Sequence, residues 1–582
     1  MKNKFKKTFS LALALLMSGS IVACTPGGGN SGDGAGVTEK VDPNRYQLNV
    51  SYYDGGFGGE WLIKLKERYE AEHVNDVYDG KTGVQVMLYP NKTKAGGLVD
   101  LGLTDDVYFT EFAYYYQLLA QGALGDITDA VTGTKADLSV YNEGDAQGKT
   151  IKDKLTPTQD DYYNVDGKYY GVPHYAGYSG LIYNKRLFEK NKWYFAANQG
   201  ATLVSKFISD SNPTKSKGPD GISPSYDDGL PATYEEFFWL CDYIDAQNKT
   251  AVTLNGEDPE SYMAGFMNAL AVDYNGLEQT MLNYTFNGTA KELATIKASS
   301  DEDDGYVDNV VIDANDTPIT EAEGYKLARQ AGKAYALQFA QHLVTYNENA
   351  YMHSKFSEGT FYAKTAQEEF VFSEEEGEKA MLIDGIWWES EATQAFKDVA
   401  AEYDEKYSKK NSEFAFMPFP KATKEKAGGV TLYDNINSLI FMNKACESNQ
   451  TKKDLAIDFI RYANTNKALV EFTQITGTPK SLEYTLTPTE KAELTTFGKS
   501  VLEMKENPTT KIAYPYGTSK FFQANQRMIC ETFYSLVDGK THVHPLSMFI
   551  SADSPKSAKD VFEGMEAYRT GEWEKWLGNV VD

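Results

Sequence analysis

The chain is 582 residues long, enough for two or three compact lobes, each with a sizeable core. Its formal net charge of −26 sets up a field that repels phosphate backbones and acidic lipid surfaces, which argues against nucleic acid as a partner. Aromatic residues make up 13% of the chain, with 40 Tyr, an excess that fits a wet aromatic binding surface or a large surface-exposed protein.

The first residues set the expected compartment. Lys2, Lys4, Lys6 and Lys7 form a basic start, and residues 11–23 are an apolar run too short to span a bilayer as a folded helix. Residues 1–23 therefore read as a signal peptide. It ends in Ile21-Val22-Ala23-Cys24, which resembles the lipobox of bacterial lipoproteins and implies cleavage before Cys24 and lipidation of that cysteine. Cleavage removes four lysines and no acid, which takes the charge to −30. More than one acyl chain on Cys24 gives stable anchoring, so the expected location is the extracytoplasmic face of a bacterial cell membrane. Residues 24–44, rich in Gly, Ser, Asp, Pro and Thr, read as a flexible tether. Cys241, Cys446 and Cys530 are far apart and odd in number, so they are expected as buried free thiols and not as a disulfide framework.

Beyond the tether, Leu48, Val50 and Tyr52 alternate as a strand, residues 55–59 make a glycine-rich turn, and Trp61, Leu62, Leu65 and Tyr69 lay an apolar stripe on a helix. Val84, Val86 and Leu88 form a second strand, stopped by Pro90. A third covers Asp105, Asp106, Val107, Tyr108 and Phe109, ahead of a helix through Tyr115, Leu118 and Leu119. Strands alternating with helices predict a parallel sheet. Residues 169–185 are apolar, small and Gly-rich without helical period, and read as extended chain; Thr233 and Glu236 make a capping box. Ala380, Met381, Leu382 and Ile383 look like a buried strand with a sharp exit at Gly385, which puts Trp387 and Trp388 at a strand end, where ligands meet α/β sheets. An indole beside carboxylates suits sugars, whose C–H faces stack on the ring while hydroxyls bond to charged acceptors. Adjacent side chains of an extended segment point opposite ways, so one Trp faces the site and the other the core; which is which stays open.

Several segments, in order, are similar to family 1 extracellular solute-binding proteins, the substrate-capture lipoproteins of ABC importers for sugars. Residues 169–185 resemble the interlobe crossover of that family, and Pro231-Ala232-Thr233-Tyr234-Glu235-Glu236 its Pro-x-Thr-Trp-Glu-Glu helix start. Residues 377–387 resemble the Gly-x-x-Ala-Met-x-Ile-x-Gly-x-Trp segment of its maltose-binding members; Met417-Pro418-Phe419-Pro420, residues 443–460 and Gly477-Thr478-Pro479 continue the match. The resemblance covers most of residues 46–580. It implies a periplasmic-binding-protein-like type II fold: two α/β lobes joined by a multi-strand hinge, with a ligand cleft between them. The N-terminal lobe is expected at 45–176 and 430–508, and the C-terminal lobe at 177–429 and 509–582. It also implies a monomer that carries no cofactor, captures a carbohydrate and delivers it to ABC transporter permease subunits. Residues 130–165 and about 195–330 exceed a compact version of the pattern and read as surface insertions. The acidic run Asp301, Glu302, Asp303, Asp304 and Asp308 is better read as solvated charge than as a calcium loop.

Candidate ligand contacts on the first lobe are Asp54, beside the glycine loop, and Asp105, at the head of the third strand. Glu60 at a helix start competes with an anion, so the loop is not a phosphate site. Tyr178 is expected in the crossover, Tyr262 after a Pro turn, Trp387, Trp388 and Glu389 on the second lobe, Asn435 at the return crossing, and Tyr516 in a further aromatic wall. Catalysis finds little support. There is no Gly-x-Ser-x-Gly elbow, His542 and His544 lack a third metal ligand, and carboxylate pairs are permitted by composition but selected by nothing. A surface carbohydrate-active enzyme and a receptor for peptides or other solutes remain the alternatives.

Overall fold

The computed structural model describes residues 39–297, 309–346, 350–426 and 428–580. The signal peptide, Cys24, most of the tether and the acidic run lie outside the described residues. The strands that position the site are, in chain order, β1 (Tyr46–Tyr53), β2 (Val84–Asn91), β3 (Val107–Thr110), β4 (Val172–Pro173), β5 (Ser179–Asn184), β6 (Thr250–Thr253), β7 (Lys379–Gly385), β8 (Phe414–Met417), β9 (Thr431–Tyr433), β10 (Leu439–Met442) and β11 (Lys511–Ala513). They build two sheets, one of order β2-β1-β3-β10-β4 and one of order β6-β7-β5-β8.

In the first sheet β1 runs parallel to both β2 and β3, as strand-helix alternation requires. The fourth strand, β10, comes from far along the chain and runs antiparallel to β3 and β4. In the second sheet β6 and β7 are parallel, and β5 runs antiparallel to β7 and β8. Leu48, Val50, Val107 and Ile440 fill one apolar core, and Leu181, Ile182, Met381 and Phe416 another. The chain passes between the sheets from β4 to β5, returns through β9 to β10, and crosses again where β11 pairs in parallel with β9.

The main helices are α1 (Glu60–Glu72), α2 (Ala95–Leu101), α3 (Pro259–Thr285), α4 (Ala331–Thr345), α5 (Gln450–Tyr462), α6 (Asn466–Thr476), α7 (Thr496–Glu506), α8 (Lys520–Cys530) and α9 (Ala558–Gly578). The stripe of Trp61, Leu62, Leu65 and Tyr69 is the buried face of α1. Helix α3 is broken at Gly276, whose φ of 71° is open to glycine at no steric cost. Before the break Met263, Phe266 and Met267 pack in the second core, and beyond it Leu282 and Tyr284 pack in the first. Helix α9 does the same, with Val561 and Phe562 in the second core and Trp573 and Trp576 in the first.

These placements revise the expected lobe boundaries. Phe497, Val501 and Met504 of α7, expected in the N-terminal lobe, belong to the second core, where α7 packs on β8. Leu282, Phe286, Leu327, Phe521 and Ile529, expected in the C-terminal lobe, pack in the first. Periodicity could find those helices but not the sheet on which each one docks. Between α6 and α7, Lys480 is buried with its ammonium 2.6 Å from His174 Nδ1 and over the rings of Phe472 and Trp61. Burial holds this lysine well below its usual range. No described helix is long and apolar enough to cross a membrane.

Candidate ligand-binding cleft

The carboxyl ends of β1, β3 and β7 open on one cavity of about 770 Å3. A parallel strand ends in unpaired backbone groups and a turn, which is why open α/β sheets take their ligands at that edge. Tyr53 at the end of β1 is followed by Gly55 and Gly56, and β3 by Glu111 and Phe112; Lys94 and Gly96 at the start of α2 complete this side. The second lobe supplies Tyr262 and Asn268 from α3 and Asp384, Trp387 and Glu391 from the end of β7 and the turn beyond it. Tyr175, Asn435 and Asn437 form the floor, and Arg527, Cys530, Glu531 and His544 close one end.

The two sides touch. A side chain at Gly56 would place its Cβ 2.8 Å from Trp387 Cβ and 3.1 Å from Glu391 Oε1, so glycine is what lets these loops meet. Trp387 is half-buried, and its indole lies over Gly385, where any Cβ would run into the ring. Phe112 and Asn437 hold left-handed conformations, with φ of 52° and 51°, at about 1–3 kcal/mol each. The Phe112 N–H donates to Ile436 O (3.0 Å) and the Ala113 N–H to Asn437 O (2.9 Å), which fixes both residues at the cleft floor. The Lys94 ammonium lies 4.2 Å over the Phe112 ring.

Three carboxyl groups set the electrostatics. Burial pushes Glu111 up to about 7, against the pull of the Tyr175 hydroxyl that donates to it. Asp384 is held well above the carboxylate range by burial first and the neighbouring Glu391 second. Burial also raises Glu391. The Gln367 side-chain N–H2 bridges this pair, donating to Asp384 Oδ2 (3.0 Å) and Glu391 Oε2 (2.7 Å), and the Gly385 N–H donates to Asp384 Oδ1 (2.7 Å). With Glu111 at about 7, both forms of its carboxyl are present at neutral pH, one a donor and the other an acceptor, a mixture matched to hydroxyls, which do both.

Of the residues singled out from the sequence, Tyr262, Trp387 and Asn435 come together on this cavity. The others lie elsewhere, each for a physical reason. Asp54 sits between Tyr53 and Gly55, but only those neighbours line the wall; its own N–H donates to Asn91 O (2.7 Å). Asp105 precedes β3 and so lies at the amino end of that strand, away from the cleft, where burial and Asp106 raise its carboxyl to about 6. Tyr178 has the opposite parity to Tyr175 and Ser179 along the extended crossover; those two face the cleft, and Tyr178 is buried in the second core beside a separate pocket with Tyr514. Trp388 is fully buried, edge-on to Phe370, Phe414 and Phe497. Glu389 is buried away from the cleft, accepts from Thr495 Oγ1 (3.0 Å), and is pushed up to about 7 by burial. Tyr516 stacks on Tyr162 with ring centroids 4.0 Å apart.

Asp384 and Glu391 belong to the carboxylates that flank the tryptophan pair in the sequence, where Glu389 alone is singled out; Glu111 and Arg527 are cleft residues that the sequence reading does not name. Glu111 was within reach, being the first acid past the carboxyl end of a recognised strand. Arg527 carried no local signal, because only the packing of α8 brings it to the cleft. Cys241 and Cys446 are buried free thiols; Cys530, half-buried, lines the cleft.

Two α/β lobes whose sheets each receive an antiparallel strand after a crossing, with a cleft at the carboxyl strand ends, make this a periplasmic-binding-protein-like fold of type II. No protein-family model matches the chain, and no curated protein matches it in sequence. Among solved structures, a chitin oligosaccharide binding protein aligns over 91% of this chain and 100% of its own, at 15% identity and a TM-score of 0.51. The SBP RafE in complex with raffinose aligns over 90% and 100% at 13% identity and a TM-score of 0.49. A Thermus thermophilus maltotriose binding protein bound with maltotriose aligns over 90% and 99% at 15% identity, also at 0.49. At such identities the likeness is one of fold.

Proposed function

We propose that the chain is the substrate-binding lipoprotein of an ABC importer, anchored through Cys24, which captures a sugar or oligosaccharide between its lobes and delivers it to a membrane permease. The observation that carries this reading is the half-buried face of Trp387, set against the glycine loop of the other lobe and ringed by Glu111, Asp384 and Glu391. A pyranose stacks its C–H face on the indole, while its hydroxyls meet carboxyls that both donate and accept. A ligand contacting both lobes favours the form in which they touch, because only differential affinity shifts such an equilibrium. The chitin oligosaccharide binding protein named above binds a sugar by its own description, which accords with this choice.

Calorimetry against a panel of oligosaccharides tests the reading. Saturable binding without turnover is expected, and Trp387→Ala should weaken it by at least about 30-fold, the loss of one buried aromatic anchor. Release of shortened sugar by the pure protein would select an enzyme instead, and competition by peptides but not sugars would select a peptide receptor.

A further inference from the structure

Behind the cleft wall lies a second cavity of about 20 Å3, enough for one particle of water size or slightly larger. It is lined by α3, α4, Tyr433 of β9, Ile529 of α8 and Arg569 of α9, and it shares Asn268 and Tyr433 with the cleft. Its lining contains Lys333 and Arg569 and no carboxylate. In a chain with 83 acidic and 57 basic residues this reverses the average environment.

Both cations are buried and meet only neutral acceptors. Lys333 donates to Asn283 Oδ1 and Leu327 O, each at 2.8 Å. Arg569 Nη2 donates to Ile529 O (3.2 Å) and Glu531 O (3.0 Å), and its guanidinium lies over Trp576. Among the described residues neither forms a salt bridge. Carbonyl oxygens satisfy N–H groups but carry no countercharge; the Glu531 carboxylate offsets part of the Arg569 charge, whereas Lys333 has no carboxylate acting on it, a costly arrangement in a low-dielectric interior. Burial, and then Arg569 itself, pull the Lys333 ammonium down.

The other groups around the cavity also have donors to spare. Thr280 is buried and its hydroxyl has no hydrogen-bond partner. Tyr284 and Tyr433 share one hydrogen bond of 2.6 Å between their hydroxyls, which leaves one phenolic proton over. Asn275 uses its Oδ1 to accept the Gly332 N–H, which leaves its amide N–H2. We propose that this cavity binds one monatomic anion, chloride under ordinary conditions, held between the Lys333 ammonium and the Arg569 guanidinium with surplus hydroxyl and amide donors around it. Water could take some of these hydrogen bonds but would supply no negative charge beside Lys333, and sulfate, phosphate or a carboxylate exceeds the volume of about 20 Å3. The anion joins helices reaching into both cores.

Full-length protein freed of chloride by dialysis into sodium gluconate is titrated with sodium chloride or bromide at constant ionic strength, and Tm is followed. Both halides are expected to give a saturable rise of roughly 2–4 °C at a hundred-fold excess over Kd. Lys333→Met should abolish the rise, and bromide-soaked crystals should show an anomalous peak in this cavity. Coincident halide and gluconate curves, a Lys333→Met protein that keeps the halide response, or bromide found only elsewhere would overturn the assignment. If Lys333→Met fails to fold, the bromide peak in the wild-type crystal decides the matter alone.

Discussion

Gly56→Ala tests whether the two sides of the cleft meet where Gly56 faces Trp387. The φ of Gly56 lies in the range open to any residue, so the substitution leaves the loop backbone unstrained and changes only what the loop touches. The added carbon would stand 2.8 Å from Trp387 Cβ and 3.2 Å from Glu391 Cγ, whereas carbons rest at about 3.5–4.0 Å. Trp387 Cβ is fixed to its backbone and cannot rotate away, so the loops must part by about 0.7 Å or more. Overpacking of this kind costs about 1–3 kcal/mol. The cost falls on the form in which the lobes touch and on no other, which corresponds to a 5- to 150-fold loss of ligand affinity. Calorimetry with the tightest sugar of the panel, run beside thermal melts of the ligand-free protein, reads this out. Gly58→Ala is the control: it sits at a φ of 60° with nothing within 4 Å, so it strains the loop without obstructing contact. Affinity of Gly56→Ala within two-fold of wild type would refute the reasoning, and so would an equal loss in Gly58→Ala.

The neighbouring tryptophan should behave oppositely to Trp387: Trp388→Ala empties a fully buried site among four phenylalanines and should cost about 3–5 kcal/mol in urea unfolding while leaving affinity in the surviving folded protein unchanged. Glu389→Gln should raise stability at pH 8 by up to roughly 3 kcal/mol and leave it unchanged near pH 4. Between the ordinary value of 4.5 and the folded value of about 7, the unfolded chain releases a proton that the folded chain keeps, so wild type weakens as pH rises through that window and is level above it; melts across pH 4–9 in which the variant falls as steeply as wild type would count against this. Lys480→Met should stabilise the protein at pH 7 by about 1–4 kcal/mol, because a lysine with no carboxylate partner among the described residues has been taken out of water. The folded lysine sits below its unfolded value, so wild type gains stability as pH rises toward 10.5 and the variant does not; denaturant midpoints at pH 7 and pH 9.5 separate the two.

What the sequence made legible was local. The alternation at Leu48, Val50 and Tyr52 located β1, the stripe from Trp61 to Tyr69 located α1, and the run before Gly385 located β7, because period and turn chemistry are written in neighbouring residues. Trp387 and Trp388 could be split into one cleft and one core residue by the same logic; the family resemblance favours Trp387 for the cleft, and the packing of Phe370, Phe414 and Phe497 on Trp388 gives the physical reason. Asp105 was placed at the cleft because a strand was seen but its direction relative to the cleft was not; six residues on, Glu111 occupies the end that counts. Glu389 looked like an acceptor for sugar hydroxyls by proximity to the indoles, yet it shares the buried side with Trp388. Arg527 and His544 reach the cleft through the packing of distant segments, which no short window encodes.

The strand order of the first sheet has a bearing on how the molecule is made. Strand β10 lies between β3 and β4, yet about 265 residues of chain separate Pro173 from Leu439. At about 5–20 residues per second, synthesis takes roughly 13–53 s to cross that interval. Throughout it, the backbone of Val107–Thr110 has no neighbour on one side, and a buried apolar strand is held open as an edge. The second sheet, built from residues 179–417, can be complete before the first one is, so the sheet begun first closes last. A chain interrupted before Leu439 would lack the strand that fills that edge, and an open edge is a template for pairing with another such chain.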